Sequence, residues 1–190
     1  MKDESILIVD KVASVWLRWL AWLIDLLLLG LFYQFFFLGV VSARTVTGLF
    51  DALLNLVIGG FLLIPLAYPF LNSFLISQFG GTLGKLLTGT KIVDVEGEKI
   101  SFKRAFWRNF LGYLVSGMFF WAGFIWMAKD KKRRGWHDMM ANTLVVVSSR
   151  LGAMTGILIL ALVLLGNIFL GLRSYQLIVQ NLPFYQSLVQ

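Results

Sequence analysis

Apolar positions run almost unbroken through three stretches of this chain, at about 15–39, 50–76 and 151–172. A transmembrane helix needs about 20 mostly apolar residues, so each stretch is predicted to span a bilayer. A fourth stretch, "NFLGYLVSGMFFWAGFIWMA" at 109–128, is apolar enough to cross as well. Between the spans the pattern shortens. "KIVDVEGEKIS" (91–101) predicts two short strands around Glu96-Gly97, and the β-branched run "NTLVVVSS" (142–149) predicts another.

Charge changes how the fourth stretch is read. The loop between the first two spans holds only Arg44 and Asp51, whereas 77–108 carries Lys85, Lys91, Lys99, Lys103, Arg104 and Arg108, and 129–134 reads "KDKKRR". Lys and Arg are retained on the cytoplasmic face, so both basic stretches belong inside. A single crossing by 109–128 would separate them. The segment is therefore expected to dip in and return, or to lie in the interface, bending at Gly112, Gly117 or Gly123 near Ser116. A true fourth span is the alternative. The same-side reading also lets the predicted strands pair into one sheet, whereas a lone hairpin is marginal in water.

The expected fold is thus an all-α membrane protein. It is a bundle of three spanning helices plus a re-entrant or interfacial helical segment, with a small cytoplasmic β-sheet. The expected divisions are a cytoplasmic leader (1–14), a membrane domain (15–149), an additional transmembrane helix (150–172) and a C-terminal tail (173–190) outside.

Composition agrees. The chain is 58% hydrophobic and 14% charged, with mean hydropathy +0.80, against about 45–50% and about 25% in soluble domains. A net charge of +7 fits cytoplasmic Lys and Arg in a membrane chain and gives no ground for nucleic-acid binding. Val41-Ser42-Ala43 imitates a signal-peptide cleavage site, but the apolar run before it is too long and holds Asp25, so it reads as a retained anchor. Cysteine is absent and His137 is the single histidine, which leaves no multi-histidine or thiolate metal site. "GGTLGK" (80–85) misses the phosphate-loop pattern, since Phe79 and Leu86 stand where Gly and Ser or Thr are required. No cofactor is expected, and no catalytic constellation marks the chain as an enzyme.

Two charges interrupt the first span. Arg18 and Asp25 are seven residues apart, about 20° short of two turns and about 10.5 Å along the axis, so they share a face without touching. Arg18, near the helix start, can reach the interface. Asp25 lies about 15 Å further in from Val15, and an ionised group at that depth costs about 2.5–3.5 kcal/mol. It must face protein or water. It is either a packing contact to the second span, with Asn55, Asn72, Ser73 or Tyr68 as partners, or a proton or cation site. Pro65 and Pro69 free carbonyls in that span, and "GAMTG" (152–156) offers a close-packing face.

Three blocks together resemble the RDD family of small membrane proteins: Arg18-x-x-Ala21-x-x-x-Asp25, "GGTLGKLLTGTKIVDVEG" (80–97) and "RRGWHDMMANTLVVV" (133–147). The likeness covers about 11–148; the last span and tail fall outside it. The resemblance makes Arg18, Asp25 and Asp138 signature positions, with Lys85 and His137 beside them. It implies either sodium–proton antiport or partnership within a larger membrane assembly, at a prokaryotic plasma membrane. Two functions stay open. In one, Asp25 is the titrating site of a monovalent cation/proton exchanger. In the other, the chain is a scaffold or accessory subunit whose Lys131, Lys132, Arg133 and Arg134 meet anionic lipid or a partner; a homo-oligomer is open in either case. Arg18 is expected to pair with Asp138, so that exchanging the two residues restores what each single change loses.

Overall fold

The computed structural model describes residues 12–118, 120–149 and 152–189. Residues 1–11 of the expected leader, and Arg150, lie outside them. Three helical runs are long and apolar enough to cross a membrane: Val15–Ser42, Val46–Leu87 and Gly152–Gln180. The chain divides into two compact units, Met1–Asp25 with Tyr68–Leu160, and Leu26–Ala67 with Ala161–Gln190.

In the first unit the chain enters helix α1 (Val15–Ser42), and it later leaves helix α3 (Ile64–Phe79) through Gly80 and Gly81 into the five-residue helix α4 (Leu83–Leu87). Gly80 has φ +88°, a left-handed turn that a side chain would strain. Thr82 caps α4, accepting from the Lys85 amide at 3.4 Å. Strand β1 (Thr90–Asp94) then pairs antiparallel with β2 (Thr143–Val147), Ile92 opposite Val145 and Asp94 opposite Thr143. Val12 bridges Val146 on entry to α1. Ala13, Ile76, Ile92, Ile100, Ala105 and Val145 form the buried core of this unit, tying the start of α1 and the end of α3 to the sheet.

The expected return strand after Glu96-Gly97 does not form. Asp94 closes the turn instead, accepting from the Glu96 and Glu98 amides. Ile100 is drawn into the core, and Ser101 caps helix α5 (Phe102–Trp107) three residues after the turn. Burial of Ile100 and a good N-cap outweigh the β propensity of so short a run.

Helix α5 continues through a π-helical turn (Arg108–Gly112) into α6 (Tyr113–Met118). This arm meets the following one, α7 (Ala122–Ile125) and a 3-10 turn (Trp126–Ala128), at 103°. Phe120 and Trp121 make the bend with φ of 49° and 57°. Of the glycines expected to bend this segment, Gly123 works as a packing site: a Cβ there would fall 2.6 Å from the Ser116 Cα. Because β1 and β2 are hydrogen-bonded neighbours, the chain between them leaves and returns to one sheet. A single crossing of a bilayer by 109–128 is incompatible with that pairing.

Helix α8 (Trp136–Met140) precedes β2, and α9 (Gly152–Gln180) follows it. The Gly152 and Gly156 spacing is used for close approach. A Cβ at Gly152 would strike the Thr88 carbonyl, and one at Gly156 would lie 2.8 Å from Thr88 Cγ2.

The second unit holds the far half of α1, helix α2 (Val46–Asn55), a π-helical stretch (Leu56–Leu63) and the far half of α9. The π stretch runs to Leu63, just before Pro65, where a ladder donor is missing. Asn167 joins α9 to α1, accepting from Gln34 at 2.9 Å and donating to the Leu27 carbonyl at 3.2 Å. The last helix does not stop near 172: α9 reaches Gln180, and α10 (Leu182–Ser187) follows, with Tyr185 donating to the Val41 carbonyl at 2.9 Å.

Candidate functional site

The first unit gathers Arg18, Lys85, Arg108, His137 and Asp138 into one buried cluster. Asp138 stands in the first turn of α8 and is fully buried. One of its oxygens accepts from Arg18 Nη2 and from the Gly135 amide at 3.0 Å; the other accepts from Arg108 Nη2 at 2.6 Å and Nε at 3.1 Å. Burial alone would raise this carboxyl, but the Arg18 and Arg108 charges outweigh it and hold the group well below the usual carboxylate range. Arg18 also donates to the Arg133 carbonyl at 2.5 Å. It thereby joins α1 to the loop that precedes α8.

His137 is turned between Ser116 and Arg18. Its Nδ1 lies 3.2 Å from Ser116 Oγ, its backbone amide donates to the same hydroxyl at 3.0 Å, and Tyr113 and Phe124 pack on its ring. Burial, with the Arg108, Arg18 and Lys85 cations, pushes the imidazole well below its ordinary value despite Asp138 alongside. It is neutral at physiological pH.

Asp25 lies apart from this cluster and faces another block of the sequence pattern, "GGTLGK" (80–85). Its two oxygens accept from Thr82 Oγ1 at 2.6 Å and the Gly84 amide at 2.7 Å. The partners expected in the second span, Asn55, Asn72, Ser73 and Tyr68, do not bond it. Gly84 is there because the Ala21 carbonyl occupies the space of its Cβ, with Asp25 Cγ 2.9 Å from the same point. The Arg18-x-x-Ala21-x-x-x-Asp25 stripe is therefore one contact face: Arg18 holds α8, Ala21 admits the backbone of α4, and Asp25 caps it.

Lys85 is 5% exposed. Among the described residues its ammonium has no hydrogen-bond acceptor and no carboxylate within ion-pair distance. It lines a cavity of about 340 Å³, together with Arg18, His137, Tyr113 and the rings of Trp19, Trp22, Trp121 and Phe124. Among the described residues no acid lines this cavity.

The basic run 131–134 is ordered around Asp130. Arg134 donates to both oxygens of that carboxylate at 3.1 Å, which lowers its pKa, and Asp130 also accepts from the Lys132 amide. Arg133 has φ +52° and turns its guanidinium to the Val12 carbonyl, 3.5 Å away. Lys131 is exposed and Lys132 half-buried. No group of three His, Cys, Asp or Glu able to hold a metal ion occurs among the described residues.

Arg108 and Thr82 are the members that sequence reasoning missed. The signal for Arg108 was the one that drew attention to Arg18, a guanidinium set among Phe106, Trp107 and Phe110. Its basic neighbours disguised it as loop charge.

Three apolar spans, a pair of strands and a bent helical segment clamped by arginine–aspartate bonds define a small polytopic membrane protein in which Arg18, Lys85, His137 and Asp138 are buried together. The chain belongs to the RDD family, whose sequence model matches residues 12–142. It is similar to the uncharacterized protein YxaI of Bacillus subtilis (strain 168), 30% identical over 150 residues that cover 72% of this chain and 98% of the relative. No solved structure matches.

Proposed function

We propose that this protein is a non-transporting scaffold or accessory subunit of a prokaryotic plasma membrane, which engages anionic lipid through the face that carries the sheet. One observation carries the reading. Every oxygen of the two signature acids is already bonded by the protein: Asp25 by Thr82 and Gly84, Asp138 by Arg18, Arg108 and Gly135. Both acids act as tie points between elements rather than as open ligands. Lys129 and Lys131 are exposed in the same stretch of chain as the exposed rings of Trp121 and Trp126. That pairing of amphipathic rings and cations suits a membrane interface, where each basic residue contributes about 1 kcal/mol at an anionic surface. The positive-inside rule puts this face, and the N-terminus with it, in the cytoplasm.

The rival reading is cation/proton exchange at Asp25. Ion flux in liposomes under a pH jump separates the two. The purified wild type is expected to move no more sodium than protein-free vesicles. Sodium-driven proton flux that disappears in Asp25→Asn would replace the scaffold reading with the exchanger.

A further inference from the structure

We infer that the cavity beside Arg18 is a headgroup site for one anionic phospholipid, with the phosphate held between Arg18 and Lys85 and the tail leaving past the tryptophan rings. The inference rests on the anionic-lipid reading above and gives it a specific site.

The charge count favours an anion. Among the described residues the buried cluster sets Arg18, Lys85 and Arg108 against Asp138 alone, so cations outnumber acids in it when His137 is neutral. Arg18 and Arg108 share Asp138. Among the described residues Lys85 is the member whose ammonium has no acceptor; the residue is 5% exposed and lines the cavity, so an anion entering there would supply one. Its head shares a cavity with the Arg18 guanidinium, and a phosphate placed there would accept from both.

Size and depth select a lipid. The cavity holds about 340 Å³, at the low end of the ~300–1,000 Å³ of ligand pockets, enough for a headgroup and too small for acyl chains. Its α1 residues are Arg18, Trp19 and Trp22, one to two turns into a helix that starts at Val15, which is the level of lipid phosphates. Trp19 and Trp22 meet edge-to-face at 5.3 Å and remain 40% and 41% exposed, and Trp121 across the opening is 67% exposed. Apolar walls around a cationic floor match an amphiphile better than a free ion. Trp121 takes up a left-handed backbone to stand there, a conformation costly for a bulky residue and characteristic of functional positions.

The test uses the full chain in nanodiscs of phosphatidylcholine, titrated with phosphatidylglycerol. Lipid occupancy is read by native mass spectrometry, and quenching of the cavity tryptophans by brominated phosphatidylglycerol is read against brominated phosphatidylcholine. Wild type is expected to retain one phosphatidylglycerol and to be quenched selectively. Lys85→Gln should weaken that retention about tenfold, the effect of one charge-assisted hydrogen bond, and Lys85→Arg should restore it. The Lys85 ammonium bonds nothing among the described residues, so a melting temperature equal to wild type in both variants shows that the fold is intact. Lys131→Gln with Lys132→Gln should lower total surface association while sparing the single retained lipid. If Lys85→Gln, melting as wild type, retained the lipid unchanged while the double surface variant lost all preference, the cavity assignment would fall and the surface reading would stand. If no variant and no wild type preferred the anionic lipid, both would fall. Equal protection of the cavity by inorganic phosphate would overturn the assignment to a lipid.

Discussion

Asp138 accepts from two guanidinium groups and a backbone amide, so its removal strands two buried cations. Breaking such a pair from one side costs about 3–5 kcal/mol. Asp138→Asn is therefore expected to lose most of its monodisperse protein on size-exclusion chromatography, with a depressed melting temperature in what survives. Arg108 changes the charge-swap expectation. With Arg18→Asp and Asp138→Arg together, the new arginine would meet Arg108 in place of a carboxylate. The swap should fail to rescue, and a rescue measured by yield would mean that Arg108 does not contact position 138. Gly84 is a second such point. Gly84→Ala drives a methyl onto the Ala21 carbonyl beside Asp25, and forced packing of this kind costs about 1–3 kcal/mol. A melting temperature matching wild type would rule out the α1–α4 contact described here.

Helix α8 carries two groups whose titration acts in the same direction. His137 binds its proton less readily in the fold than in the unfolded chain, so its contribution is complete above its unfolded pKa of about 6.5 and is lost as pH falls below that. Asp138, also depressed, contributes fully above about 4 and fails as pH drops through its lower folded value. Stability should then be flat against these groups from pH 8 to about 6.5 and decline below it, by at most about 1.4 kcal/mol per pH unit for one proton. His137→Gln should remove the decline between about 6.5 and 4 while leaving the acid limb. Thermal melts of both proteins across that range check it. A decline retained in the variant would place the titration elsewhere. The bent segment tests the element in another way. Gly123→Val pushes a branched side chain against the Ser116 backbone, which should open the bend and expose His137, read as faster histidine hydrogen–deuterium exchange.

At the scale of the molecule, the spans and the paired strands could be read from the sequence because they rest on one-dimensional signals: apolar length, β-branched runs and the side bias of Lys and Arg. Arg18 and Asp25 stood out for the same reason, as charges in an apolar run. What the sequence did not carry was the partner of each. Asp25 was set against the second span, its nearest long helix, yet it bonds a five-residue helix 57 to 59 positions away, because Gly84 lets a backbone amide approach where no side chain fits. Arg108 was hidden by its basic neighbours Lys103 and Arg104, which stand on helix α5. The pairing of β1 with β2 has one consequence for the whole chain, namely that Glu96 and Lys131 lie on the same side of the membrane. The natural chain has no cysteine, so Glu96→Cys and Lys131→Cys, both exposed positions, can be labelled cleanly with a membrane-impermeant maleimide. Both should resist labelling in intact cells and react once the membrane is permeabilised. Both reacting in intact cells would reverse the proposed orientation and keep the fold. One reacting and the other protected would mean that 109–128 crosses the bilayer, and the strand pairing could not then stand.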